Sequence, residues 1–131
     1  MTDFIDTDTA ELFRINDEII GLKFKTEIQV ELEDAKQIDA GFMEIIQEKD
    51  HFFIIDATDI MSNMDNEASR YFSKESKVAN YTRAAAIVLN SLPIRLTASF
   101  FIKFQKPRFP TRIFDSREKA IEWFEELKSK G

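Results

Sequence analysis

Phe52-Phe53-Ile54-Ile55-Asp56 is an unbroken apolar run ending in an acid, and Ala84-Ala85-Ala86-Ile87-Val88-Leu89 is a second such run. A strand buried on both faces reads this way, whereas a strand with one wet face alternates. The alanines of the second run would suit a helix, but Asn90-Ser91-Leu92-Pro93 punctuates it at once. Ser91 is a helix-capping residue type, and proline is tolerated in a first helical turn. The two runs are expected as adjacent, parallel central strands.

Helical and strand signals alternate outward from this pair. Leu12, Phe13 and Ile15 form a short run, and Asn16-Asp17-Glu18 suits a turn. Ile20, Leu22 and Phe24 then alternate with Gly21, Lys23 and Lys25, the period of a strand with one buried face. Ile28 and Val30 read as an extended tail. Leu32, Ala35, Ile38, Phe42, Ile45 and Ile46 recur at helical spacing, with Glu31, Glu33 and Asp34 near the start, where the helix dipole favours negative charge. Residues 66–80 read as a helix with Asp65 as N-cap and a stripe of Ala68, Tyr71, Phe72, Glu75 and Ala79. A helix over 92–105 ends at Lys106-Pro107-Arg108-Phe109-Pro110, and Thr111–Phe114 is a short strand. Asp115-Ser116-Arg117-Glu118 has the form of a capping box before a last helix carrying Ala120, Ile121, Trp123, Phe124 and Leu127. The order ββαβαβαβα defines an α/β class with a mostly parallel central sheet and an antiparallel N-terminal hairpin. Residues 1–131 read as one domain, with an ordered core over about 10–128.

This order resembles the STAS domain, the fold of anti-sigma-factor antagonists, and in particular an uncharacterised bacterial branch related to STAS and to the CRAL-TRIO lipid-binding domains. The residues that carry the resemblance are Phe52–Asp56 with the following polar loop and Met64-Asp65, then Ala84–Leu89, then the ending from Pro110 to Phe124. The resemblance implies a binding module regulated by a phosphoserine in an Asp-Ser-Ser-Gly sequence. Here that stretch is Asp65-Asn66-Glu67-Ala68, with Ser62 and Ser69 only flanking it, so the phosphoswitch is not carried over.

Composition narrows the chemistry. The chain has 131 residues, no cysteine and one histidine, His51, which excludes disulfides, thiolate sites and His-rich metal centres. No apolar run is long enough to span a membrane, and the acidic N-terminus lacks the order of a signal peptide, so a cytoplasmic protein is expected. The net charge of −6 argues against general nucleic-acid binding. It is unevenly divided: residues 1–68 carry 5 basic and 18 acidic side chains, residues 69–112 carry 9 and 1.

Asp56, Asp59 and Asp65 fall near the carboxyl end of one strand, where open α/β sheets bind ligands, together with Asn66, Asn90 and Ser91. Three carboxylates suit a hard cation or an acid–base pair. Their simpler roles are a solvated loop residue, a helix cap and an acceptor of backbone amides. No metal, cofactor or catalytic residue is assigned, and His51 reads as a loop residue.

Helix 92–105 is the more informative element. Arg95, Ser99, Lys103 and Lys106 fall within an arc of about 80°. Ile94, Leu96, Ala98, Phe100, Phe101, Ile102 and Phe104 occupy most of the rest, whereas a helix covering a sheet needs a stripe of about 100–140°. Apolar surface should remain after packing, so Ile94, Phe100, Phe101, Ile102 and Phe104 form a candidate interface or groove. Two uses compete. The leading one is a non-enzymatic regulatory module that binds a protein partner or forms a homodimer. The alternative is a lipid- or hydrophobe-binding protein, with Arg95, Lys103, Lys106, Arg108 and Arg112 near an anionic head group. An enclosed apolar pocket beneath the helix would favour the ligand; a flat two-fold contact would favour the partner.

Overall fold

The computed structural model describes residues 2–25, 29–58 and 63–130, and no side-chain placement is given for Asn63, Thr97, Phe101, Phe104 and Gln105. A six-stranded sheet has strands β1 (Phe4–Asp6), β2 (Ala10–Arg14), β3 (Ile19–Phe24), β5 (His51–Asp56), β7 (Thr82–Val88) and β8 (Thr111–Phe114), in that spatial order. β1 pairs antiparallel with β2, and β2 with β3. The β3–β5, β5–β7 and β7–β8 pairs are parallel. β4 (Gln29–Val30) and β6 (Asn63–Met64) make a separate two-stranded parallel pair. The two apolar runs are thus the central strands, with Phe53 opposite Ala85 and Ile55 opposite Ile87.

The helices are α1 (Leu32–Ile46), α2 (Asn66–Arg70), α3 (Leu92–Gln105) and α4 (Arg117–Lys130). From β3 to β8 every crossover steps one strand further in the same direction. Parallel crossovers share one hand, so successive steps in one direction place their helices on one face of the sheet. The packing follows. Leu12, Ile20, Leu22, Phe53 and Ala85 meet Ala35, Ile38, Phe42, Ile45 and Ile46 of α1 and Ala68 of α2. Ala57, Ile87 and Leu89 meet Ala98, Ile94 and Ile102 of α3. α4 is no crossover, and it returns over the opposite face, where Ala120, Trp123 and Phe124 pack on Ile19, Phe52, Ile54, Ala84, Ala86 and Val88.

Four local differences from the sequence reading have physical causes. β1 adds a strand that the sequence reading did not assign; Thr7 forms its turn, its hydroxyl donating to the Ala10 carbonyl and accepting from the Ala10 amide. His51 is not a loop residue: it begins β5, is buried, and its Nδ1 lies 2.8 Å from the Lys49 carbonyl. The last helix starts one residue later than the capping-box reading, with Ser116 Oγ accepting from the Lys119 amide at 3.3 Å.

The fourth difference is the largest. Residues 66–80 are not one helix: α2 runs into a π-helical turn at Tyr71–Glu75, breaks at Ser76, and resumes as a 3₁₀ turn at Val78–Tyr81. Asp39 of α1 causes the break. Its buried carboxylate accepts the Ser76 hydroxyl, the Lys77 amide at 3.0 Å, the Val78 amide at 3.2 Å and the Tyr71 hydroxyl at 3.3 Å. Four donors meet the capacity of one carboxylate, which caps the 3₁₀ turn from another helix.

Candidate functional site

The shortness of α2 has a direct consequence. Three helices share one face, and the middle one supplies only five α-helical residues before the π turn. The floor formed by β5 and β7 is therefore incompletely covered between α1 and α3. Ala85, at the centre of that floor, is too small to fill the gap. A cavity of about 590 Å³ results. Leu22, Phe24, Phe53, Ile55, Ala85 and Ile87 line its floor, Val30 and Phe42 one wall, Phe72, Val78 and Ala79 another, and Ile94 and Ala98 of α3 a third. Asp39 is the one charged side chain among the described lining residues, and its lone pairs are engaged as above. Leu96 and Phe100 also line it, yet are 63% and 64% exposed, which places its mouth along the outer side of α3.

α3 itself presents two surfaces. Ala98 is buried, and Ile94 and Ile102 are half-buried against the sheet. Leu92, Leu96 and Phe100, spaced four apart, are all exposed, with Leu92 at 67%. The side chains of Phe101 and Phe104 lie outside the described residues.

The polar candidates do not converge. Asp56 ends β5, where its Oδ1 accepts the Thr58 hydroxyl at 2.6 Å and the Thr58 amide at 3.0 Å, and Lys23 Nζ lies 3.6 Å from Oδ2. Burial acts to raise its pKa, but the Thr58 hydrogen bonds and Lys23 outweigh burial and hold the carboxyl below its ordinary value. Asp65 caps α2, its Oδ1 accepting from the Ala68 amide at 2.8 Å. Asp59 lies outside the described residues. Asn66 lines the large cavity. Asn90 and Ser91 line a separate recess of about 240 Å³ at the start of α3, with Arg95 and Asp115. Ser91 occupies the N-cap position without a side-chain capping bond. Among the described residues no three His, Asp or Glu side chains are grouped to hold a metal ion, and no helix is long and apolar enough to cross a membrane.

The expected basic cluster is also dispersed. Arg108 donates to Asn80 Oδ1 at 3.0 Å and to the Ser76 carbonyl. Arg112 lies on the α4 side of the sheet, 5.3 Å from the Phe114 ring and 5.5 Å from Trp123. Sequence reasoning missed Asp39, which has no local signature; of the groove candidates it named, Ile94 and Phe100 line the cavity, whereas the floor and the other walls come from residues it did not name for the groove.

The mixed sheet with its N-terminal meander has a SpoIIAA-like, that is STAS-like, fold, as a structural comparison shows. The crystal structure of an uncharacterized protein from the DUF3478 family with a SpoIIAA-like fold, from Shewanella loihica PV-4, aligns with a TM-score of 0.61. The identity is 15%, and the alignment covers 91% of this chain and 98% of that one, a likeness of fold. The chain belongs to the family described as Domain of unknown function (DUF7793), whose pattern matches residues 13–128. No curated protein matches it.

Proposed function

We propose that this domain is a non-enzymatic binding module that takes an uncharged lipophilic small molecule into the cavity between α1, α2 and α3. The observation that carries the reading is the cavity itself, about 590 Å³ and lined almost wholly by aliphatic and aromatic side chains. Ligand sites in proteins span roughly 300–1,000 Å³ and are predominantly apolar. The lining supports an uncharged occupant. Asp39 would repel an anionic head group, and Arg108 and Arg112 are engaged elsewhere. The pocket beside α3 is concave and apolar rather than flat, though it opens at Leu96 and Phe100 and is not enclosed, and this concavity supports the ligand.

The test is native mass spectrometry of freshly purified protein, followed by uptake of the uncharged dye Nile red by solvent-extracted protein. A retained neutral adduct, or saturable dye binding weakened by Ala85→Leu, is expected. A bare chain that takes up no dye would refute the reading.

A second reading keeps the regulatory, protein-interaction role that STAS-like domains suggest. One observation favours it, the exposed stripe Leu92, Leu96 and Phe100. It would act without the phosphoserine switch, since Asn66 and Glu67 stand where the serines would and carry no hydroxyl. The aspartates lend an enzyme no support: Asp56 and Asp65 have structural partners.

A further inference from the structure

We propose that the outer face of α3 docks on an anionic lipid bilayer. The proposal goes beyond the cavity reading; its surface adjoins the cavity at the mouth residues Leu96 and Phe100 and extends from there to Leu92 and the basic residues of α3. Leu92, Leu96 and Phe100 lie along one line of α3 and are each about two-thirds exposed. At 100° per residue they span about 80° of the helix; Arg95, Ser99 and Lys103 fill an arc of about 80° beside and partly between them, and Lys106 is the left-handed C-cap residue at the helix end. Arg95, Ser99, Lys103 and Lys106 are all exposed.

The chain as a whole carries −6, yet residues 92–112 hold five basic side chains and no acidic one. Asp115, which shares the recess at the start of α3 with Arg95, is ion-paired with Lys119 at 3.0 Å. Of the five basic side chains, Arg108 and Arg112 are engaged elsewhere, and Arg95, Lys103 and the C-cap Lys106 are the ones that stand with the exposed apolar stripe of α3.

A helix with Leu and Phe on one strip and basic groups beside it lies in the headgroup plane of a membrane. Its apolar side chains enter the acyl boundary while lysine stems reach back to the phosphates. A two-fold homodimer through the same strip fits less well. With the helices antiparallel, symmetry would set Arg95 and Lys103 on the same flank as the like charges of the other copy. A bilayer presents the opposite charge on both sides of the strip. It also meets the rim residues Leu96 and Phe100 of the cavity mouth.

Each basic residue near an anionic surface is worth roughly a fivefold gain in partitioning, so three give on the order of a hundredfold. The test is vesicle flotation with the full chain. Wild-type protein should float with phosphatidylcholine vesicles containing phosphatidylglycerol, far less with phosphatidylcholine alone, and should be released by high salt. Leu92→Asp is expected to weaken flotation about tenfold or more, since it removes one buried leucine. Leu92 is exposed, starts the helix and does not line the large cavity, so the unfolding transition and Nile red uptake should stay unchanged. Lys103→Glu with Lys106→Glu should act alike and abolish the preference for phosphatidylglycerol.

Three outcomes would overturn the proposal. The wild type could remain soluble with both vesicle types. The variants could float as well as the wild type. Sedimentation could show a dimer that Leu92→Asp dissociates, which would assign the strip to a protein interface. Nile red uptake separates these outcomes from a failure of the cavity reading.

Discussion

Leucine substituted for Ala85 and for Ala86 makes the same chemical change on opposite faces of β7. Ala85 is 2% exposed, lines the cavity floor and faces α1 and α3. Ala86 is 0% exposed, lies off the cavity and packs in the cluster with Trp123 and Phe124. Leucine at 85 can extend its added carbons into the cavity. At about 0.8 kcal/mol per buried methylene the gain reaches about 2 kcal/mol, less the part of the side chain that stays in contact with water at the mouth. Leucine at 86 has no such space, and overpacking costs about 1–3 kcal/mol. For a domain of this size 1 kcal/mol moves Tm by roughly 3–5 °C. Thermal unfolding of solvent-extracted protein should therefore show Ala85→Leu unchanged or raised by up to about 8 °C, and Ala86→Leu lowered by about 5–10 °C. Nile red uptake should fall only for Ala85→Leu. Equal destabilisation by both leucines would mean that the floor at Ala85 is packed in solution, and the cavity argument would be wrong.

Three further outcomes test the surrounding architecture. Asp39→Ala should cost about 3 kcal/mol or more in urea unfolding, because it strands four buried or half-buried donors at once; a loss under about 1 kcal/mol would show that the Asp39 contacts do not hold α1 to the π and 3₁₀ turns. Gly41→Ala lies inside α1, where alanine normally gains about 1 kcal/mol, but its Cβ would stand 2.6 Å from Leu12 Cδ1 in the core; net destabilisation is expected, and a rise in stability would refute that packing. Burial first, and then the Asp39 carboxylate, push the Tyr71 pKa up to about 12 from an ordinary 10, because ionisation would set two anions together. A raised folded value means that the stabilising contribution is full below pH 10 and lost as pH rises through about 12. Tyrosinate absorbance in a Tyr81→Phe background should therefore rise near pH 12, and Asp39→Asn should move that rise toward 10; coincident curves would contradict the pairing.

Much of the frame is local and was readable in the chain. The apolar runs at 52–56 and 84–89 specify strands buried on both faces, and they are the sheet's centre. Asp65 caps α2 as its position before the helical stripe implies. Ala120, Trp123 and Phe124 form the buried face of α4 because their spacing leaves no other face apolar. Such features depend on residues within a turn or two of one another, which is the range over which periodicity and capping act.

The cavity and the break in residues 66–80 depend on residues far apart in the chain. Asp39 and Val78 are 39 positions apart, and no local pattern tells a helix that a carboxylate from another helix will take its amides. The cavity needs three helices on one face, a short middle helix and a small residue beneath it. The spatial order of the strands sets the first condition, the Asp39 contacts the second, and the pairing of Phe53 with Ala85 the third. Local sequence was enough to mark β2, β3, β5, β7 and β8, the helices α1, α3 and α4, and the apolar surplus of α3, but not β1 or the break within residues 66–80. Only the tertiary structure decided where that surplus goes, because coverage is a property of neighbours and the neighbours of α3 are set by topology.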